Sequence, residues 1–509
     1  KYGADEEFVL AGGGNTSYKT ADTLYIKGSG TSLATITVDG FVKIDRAELE
    51  KIWSAKFSEV EAEREAQVLS MMMNSRRQGE EGKRPSVETL LHDLLPQKFV
   101  LHVHPALVNG ITCSVDGERI AAELFPDAVW VPSTKPGYIL AALCREKLGE
   151  YERSQGRIPQ IIFLENHGIF ISADTTEEID VIAKEVFDAI KKKVAIFPCK
   201  EKVDFDEALA ETLAPEIRML YSAEGKAVVK HTAYHDIIAF ARDREAFSPL
   251  ADSFSPDHIV YCKAHPLYVE NKGDETPAEL EKAFRSYTEK NGFKPKIIFV
   301  QGVGMFACGG TKKEAETASV VFEDAIKIAT YAMSFGGAKH MSGELTAFIS
   351  NWEVESYRAK VALSGATEKR LAGKISIVTG SAQGFGAGIA EAMIREGAYV
   401  AIADMNVEGA ENMAKSLCEK YGKGVAFPVY VNVTDENSVR GMMKKTVLEY
   451  GGLDVFVNNA GIVRAGSLEE MTKQNFELVT SIDYTAFLVC TKYAVVPMKI
   501  QRKYSSDYM

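Results

Sequence analysis

The feature that most constrains this chain is Leu101-His102-Val103-His104-Pro105, at the end of the apolar run Phe99 to Val103. Side chains two apart on a strand share one face, so two imidazoles can reach a single ion. A third histidine, His167, closes a second strand-like run, Ile161 to Gly168. A fold that uses all three rings must bring two distant strands together. Three imidazoles with coordination positions left over form a catalytic zinc arrangement, which makes His102, His104 and His167 the candidate metal ligands.

Glu88 lies in Pro85 to His92, a predicted helix with Ser86 near its N-terminus. The helix precedes the His-x-His strand closely enough to pack beside it and aim a carboxylate at the ion. A helical Glu alone is ordinarily solvated or capping; beside three histidines, Glu88 is the candidate catalytic residue. His92, one turn further on the same face, reads as support or packing rather than as a ligand. Two glycine- and hydroxyl-rich turns, Ala11 to Ser17 and Lys27 to Ser32, offer N–H groups and side-chain donors without bulk, which suits phosphate oxygens. Taken alone they would be hairpin turns. Next to a metal site, Gly14, Asn15, Thr16, Gly28 and Ser29, with Ser86, are the candidate phosphate-binding residues.

Length and charge narrow the function classes. A chain of 509 residues, 46% hydrophobic, predicts two to four domains. A net charge of -12 argues against a nucleic-acid surface, which needs clustered Lys and Arg, but leaves room for a local anion site. The seven cysteines form no Cys-x-x-Cys, so neither a disulfide framework nor a thiolate zinc site is expected, and a reduced cytoplasm fits. No signal segment and no apolar run of membrane-spanning length is present, so no membrane partner is expected. Residue 1 is Lys and the last residues, Gln501 to Met509, are polar; both ends read as cut.

Three sections are expected: 1-225, 226-360 and, after a linker around 361-370, 371-509. The middle one reads as a worn copy of the first. Pro159 to Ile190 aligns without gaps to Pro295 to Ile326, eleven of the thirty-two positions being identical. Phe125 to Val129 also resembles Ser255 to Ile259 at a slightly shorter offset. Two strand-then-helix units sharing composition by chance is the alternative. In the second copy Glu165, Asn166 and His167 become Gln301, Gly302 and Val303, and no His-x-His precedes them. The middle section is therefore expected to be metal-free, with His258 and His265 structural.

From Lys374 the pattern is strand, glycine turn, helix, strand, the βαβ opening of a doubly wound parallel sheet. Thr379-Gly380-Ser381-Ala382-Gln383-Gly384-Phe385-Gly386 suits a pyrophosphate at a helix N-terminus. Asp404 ends the next strand, where a carboxylate meets ribose hydroxyls and repels a 2′-phosphate, which favours NAD. Asn432 and Val433 follow a third strand and Asn459, Ala460 and Gly461 a fourth. The candidate cofactor-binding residues are Gly380, Ser381, Gln383, Gly384, Phe385, Gly386, Asp404, Asn432, Val433, Asn459, Ala460 and Gly461.

Residues 1 to about 200 resemble the class II aldolase/adducin-like family, with Gly-Gly-Gly-Asn-Thr-Ser, Ser86-x-Glu88, His102-x-His104-Pro105 and Asn166-His167-Gly168 in family order. The resemblance implies that the three histidines hold Zn²⁺, that Glu88 shuttles the proton, and that the turns hold the phosphate of a ketose 1-phosphate or dihydroxyacetone phosphate. Retro-aldol cleavage leaves an enediolate whose developing charge a Lewis-acid zinc stabilises. Residues 371 to about 500 resemble the first half of a short-chain dehydrogenase/reductase. That family's catalytic Tyr-x-x-x-Lys is absent from this section; the single Tyr-x-x-x-Lys runs from Tyr268 to Lys272, and the helix asparagine falls at Asp483. The dehydrogenase half is therefore expected to be truncated, with at most a weak NAD site and no turnover.

In this order the sections resemble the bifunctional rhamnulose-1-phosphate aldolase/short-chain dehydrogenase family. That implies cleavage of L-rhamnulose 1-phosphate to dihydroxyacetone phosphate and L-lactaldehyde, NAD-linked chemistry on the aldehyde, and a homo-oligomer. The alternatives are a sugar-phosphate 4-epimerase using the same zinc chemistry and a non-catalytic adducin-like scaffold. The fold class expected is α/β: a class II aldolase-like domain, a degenerate second copy and a partial Rossmann sheet.

Overall fold

The computed structural model describes residues 1–351 and 369–505, so the expected linker at 361-370 lies almost wholly outside the described residues, as do 506–509. The first section folds into seven strands: β1 (Asn15–Lys19), β2 (Thr23–Lys27), β3 (Phe41–Asp45), β4 (Phe99–Val103), β5 (Val129–Val131), β6 (Ile161–Leu164) and β7 (Gly168–Ala173). Their order is β3-β2-β1-β4-β7-β6-β5, antiparallel except for the parallel pair β5 and β6. β4, rich in apolar residues, lies at the centre between β1 and β7, with Asn15 opposite His102 and Val103 opposite Ile169.

Alternation along β4 divides the core. Val100 joins Ile26, Ile44 and Phe170 on one face of the sheet, whereas Leu101 and Val103 join Ile169, Ile171 and Val186 on the other. His102 shares the face of Val100, stacked on Phe170 with ring centroids 4.0 Å apart. Each fully buried aliphatic side chain contributes about 1.5–3 kcal/mol, and together they fix the strand from which the histidines project.

The middle section repeats part of this plan. β8 (Val228–Thr232), β9 (Leu267–Val269), β10 (Ile297–Val300) and β11 (Gly304–Gly309) are ordered β8-β11-β10-β9, with the pairing senses of β4-β7-β6-β5. The β10–β11 hairpin keeps the register of β6–β7: Val300 faces Gly304 as Leu164 faces Gly168. One expected equivalence is corrected. The counterpart of β5 is β9, because Leu267 pairs with Ile298 as Val129 pairs with Ile162. Ser255 to Ile259 instead belongs to the start of the helix Pro256–Cys262.

The described residues fall into two compact units that are not contiguous in sequence. One comprises 1–198, 249–264 and 320–351; the other 199–248, 265–319 and 369–505. The second unit also holds a four-stranded parallel sheet of β12 (Ile375–Thr379), β13 (Tyr399–Asp404), β14 (Ala426–Tyr430) and β15 (Val455–Val457), ordered β14-β13-β12-β15, with helices Gly384–Arg395, Val407–Tyr421 and Glu436–Tyr450 between successive strands. The fold class is α/β, as expected. Among the described residues, no helix is long and apolar enough to cross a membrane.

Candidate active site

Three imidazoles meet at one end of the central strands of the seven-stranded sheet. His102 ends its ring on the face of β4, His104 follows the strand, and His167 sits in the tight turn between β6 and β7 rather than at a strand end. That turn needs Asn166 at φ 58°, a left-handed conformation Asn tolerates. Its side chain donates to the Lys339 carbonyl at 2.9 Å. A Cβ on Gly168 would lie 2.7 Å from the His104 ring, so glycine there makes room for the second imidazole.

The hydrogen bonds fix the tautomers. His102 Nδ1 donates to the Ile169 carbonyl at 3.0 Å and His104 Nδ1 to the Asp257 carboxylate at 2.6 Å, leaving both Nε2 atoms with lone pairs. Those two Nε2 atoms lie 2.9 Å apart. Glu88 Oε1 is 3.1 Å from His102 Nε2 and 3.4 Å from His167 Nε2. One ligand atom from each histidine falls within 4.8 Å of the others. Burial, then His104, pushes the His167 ring down to about 3. Burial pushes the Glu88 carboxyl up, but His102, His167 and His104 outweigh it and hold it well below the usual carboxylate range. Three ligand-type nitrogens and a carboxylate this close together suit a cation.

Glu88 is held from behind. The helix begins at Thr89 rather than Pro85, and Glu88 occupies its N-cap position. Asn15 Nδ2 donates to Glu88 Oε2 and, at 3.2 Å, to Ser86 Oγ. Asn15 Oδ1 takes a hydrogen bond from His92 Nε2, and His92 Nδ1 lies 2.8 Å from Ser17 Oγ. His92 therefore supports the carboxylate through Asn15. Lys19, buried at the end of β1, donates to the carbonyls of His92, at 2.6 Å, and Leu95, at the C-terminal end of the same helix.

Burial pushes the Lys19 amine down to about 7 from its ordinary 10.5, against a smaller opposing effect of Asp93. Between these values the unfolded chain binds more protons than the folded one, so stability rises with pH across that window. Measured against a Lys19→Met variant, wild-type stability is expected to improve as pH goes from about 7 to about 10.5. A difference in urea midpoint that stays flat over that range would refute a buried, deprotonatable Lys19.

A cavity beside the histidines is lined by Gly12, Gly13, Gly14, Asn15, Lys27, Ser29, Gly30 and Ser86, together with Glu88, His104, His167 and Asp257. Of the expected phosphate residues, Gly14, Asn15, Ser29 and Ser86 thus come together. Thr16 and Gly28 do not: the Thr16 hydroxyl donates to the Val100 carbonyl at 3.0 Å, and the Gly28 amide to the Gly40 carbonyl at 2.9 Å. Strand alternation turns Thr16 away from its neighbours. Sequence reasoning missed Lys27, a buried cation in this wall, and Asp257, separated from its partner by 153 positions. It also missed His231, which pairs with Phe306 as His102 pairs with Phe170. His231 Nε2 donates to the Val303 carbonyl at 2.9 Å, and burial pushes the ring down to about 4, so this relic is a satisfied structural histidine.

In the parallel sheet, the turn after β12 carries Gly380 and Gly384 at positive φ, and a Cβ on Gly386 would lie 2.2 Å from the Gly380 carbonyl. Asn459 Nδ2 donates to the Thr379 and Gly380 carbonyls, at 2.9 and 3.2 Å, tying the turn to the end of β15, with Ala460 and Gly461 next. Asp404 accepts from the amides of Ala382 and Asn406, both at 3.0 Å, beside the turn. Gln383 caps the helix that Gly384 opens, and Phe385 is exposed on its first turn. The Ser381 hydroxyl is engaged within the fold: it donates to the Val378 carbonyl and accepts from the Ala403 amide. Asn432 orders its own loop by accepting from Thr434, and Val433 is buried in the core.

The architecture and these motifs define a chain of aldolase and oxidoreductase domains. Comparison with known families assigns them: residues 2–191 match the class II aldolase and adducin N-terminal domain, 208–358 the aldolase class II second domain, and 374–505 the short chain dehydrogenase family. The chain thus carries class II aldolase domains fused to a short-chain dehydrogenase domain. It is 26% identical, over 98% of its length and 77% of the other's, to YuxG, an uncharacterized oxidoreductase of Bacillus subtilis. An uncharacterized oxidoreductase of Thermotoga maritima is 39% identical over 25% of this chain, which spans about half, 49%, of that relative. The N-terminal class II aldolase domain of a conserved protein from Thermoplasma acidophilum is 28% identical over 38% of this chain and 87% of that one, with a TM-score of 0.32.

Proposed function

We propose that the first unit cleaves a ketose 1-phosphate by a retro-aldol reaction, with L-rhamnulose 1-phosphate as substrate and dihydroxyacetone phosphate and L-lactaldehyde as products. The observation that carries this reading is the convergence of three histidine nitrogens and Glu88 beside a glycine- and hydroxyl-lined cavity. His102, His104 and His167 would hold a divalent metal, Zn²⁺, the Nδ1 hydrogen bonds of His102 and His104 leaving their Nε2 atoms for it. When bound, that ion supplies positive charge beside the substrate carbonyl oxygen. Ser29, Ser86 and the glycine turn bind the phosphate and Lys27 adds charge, while the Asn15 side chain is taken up by Glu88, Ser86 and His92.

Breaking the C3–C4 bond turns C4 into an aldehyde as its hydroxyl proton leaves. The bonding pair stays on the triose-phosphate half, whose C3 then takes up a proton. Glu88, kept ionised and aimed by Asn15, holds and moves that proton. A coupled assay for dihydroxyacetone phosphate tests the reading, because a 4-epimerase releases none. One divalent metal per chain is expected in wild type and none in His102→Ala with His167→Ala; equal metal in both would overturn the assignment of ligands.

The dehydrogenase section is proposed to bind NAD in preference to NADP, for chemistry on an aldehyde such as lactaldehyde. Hydride transfer by these 509 residues alone is not expected, because no Tyr-x-x-x-Lys accompanies the glycine turn. Asp404 carries the preference, accepting from ribose hydroxyls and repelling a 2′-phosphate. Calorimetric titration is expected to rank NAD above NADP in wild type and to narrow the gap in Asp404→Ser; an unchanged ratio would move the discrimination elsewhere.

A further inference from the structure

We propose that Asp257, a carboxylate supplied by the middle section, is the positioning residue that prepares His104 to hold the metal, so that metal affinity depends on that section. The inference rests on the reading of His102, His104 and His167 as metal ligands.

Asp257 lies on the helix Pro256–Cys262, which packs with the first unit although it is encoded between β8 and β9. Its Oδ2 is 2.6 Å from His104 Nδ1. An ionised carboxylate only accepts, so the proton must sit on Nδ1 and the lone pair on Nε2, the nitrogen that faces His102 and His167. His102 obtains the same tautomer from a backbone carbonyl of its own hairpin, Ile169. His104 lies past the end of β4, and its Nδ1 meets the Asp257 carboxylate. A carboxylate behind a ligating imidazole fixes its orientation and raises its basicity.

The surrounding turn is shaped to admit this pair. A Cβ on Gly13 would lie 2.8 Å from Asp257 Oδ2 and 3.5 Å from His104 Nδ1. A Cβ on Gly12 would lie 2.8 Å from the hydroxyl of Tyr261, on the same helix, which accepts from the Gly12 amide at 3.2 Å. Glycine at these two positions of the Gly-Gly-Gly turn leaves room for the side chains of this helix, apart from any role with phosphate. The arrangement also gives the middle section a function that survives the loss of its own ligands: Val303 replaces His167, and Ala233, the residue after the counterpart of Val103, replaces His104. What it keeps is a carboxylate delivered to the other copy.

The test is competition of the full-length protein with a chelator for Zn²⁺, and for Co²⁺ with its visible absorption bands, in wild type and three variants. Asp257→Ala is expected to weaken Zn²⁺ binding by about 10–100-fold and to shift the Co²⁺ bands, with the thermal midpoint of the metal-free protein unchanged. Asp257→Asn, whose amide oxygen still accepts from Nδ1, is expected to fall between. Tyr261→Phe, which loosens the same helix without touching His104, is expected to bind Zn²⁺ as wild type does. Affinity within twofold of wild type in Asp257→Ala would overturn the proposal, as would an equal loss in Tyr261→Phe, which would mean that helix packing alone matters. A wild-type protein that takes up no metal would overturn the metal reading itself, an outcome recognisable before any variant is compared.

Discussion

Glu88→Gln is expected to lower dihydroxyacetone phosphate release by about 10²-fold or more while leaving the fold and the metal content nearly intact. The amide has the shape of the carboxylate, so the core around Leu90 and Leu91 is undisturbed. It can still accept from Asn15 Nδ2, but it can neither bind nor release a proton at neutral pH. The loss therefore isolates proton transfer from positioning. Metal content measured on the same sample separates that loss from a loss of the ion. A variant that keeps near-normal turnover would assign the proton to another group.

In the second unit the largest stability effect is expected at Asp454. Its carboxylate accepts from Arg218 Nη1 at 3.0 Å and Nη2 at 2.7 Å, and the guanidinium is fully buried. It also accepts from the Ile375 amide at 2.7 Å and from Gln501 at 3.0 Å. Asp454→Ala leaves a buried positive charge without this carboxylate, among neutral acceptors that include the carbonyls of Ala227, Gly225 and Gly373. Breaking a buried pair on one side costs about 3–5 kcal/mol, read as a fall in the urea midpoint of this unit. Adding Arg218→Met should restore part of the loss, because the uncompensated charge then disappears. A single variant within about 1 kcal/mol of wild type would show that the pair does little.

The legible part of the site was local. His102 and His104 could be placed on one face because a strand of period two was evident in Phe99 to Val103. Glu88 and His92, four apart, were read on one face of a helix, although Glu88 caps that helix and reaches His92 through Asn15. Strand β13 ended at Asp404 as expected, since a continuous apolar run followed by an acidic residue leaves little latitude. Thr16, Gly28 and Ser381 make their hydrogen bonds within the fold for one reason. A motif gives the order of its residues, whereas strand alternation and competing carbonyls decide which of them face the cavity.

By itself the sequence determined the α/β class, the two aldolase-type sections, the dinucleotide turn and three histidines with a carboxylate near enough to serve them, because each is written within a strand, a turn or a helix. Tertiary structure alone decided what holds those groups in place. Asp257 meets His104 across 153 positions and Asp454 meets Arg218 across 236. No periodicity links such residues. Each pairing depends on where a whole sheet or helix packs, and one acidic residue among 71 carries no mark of the partner it will find.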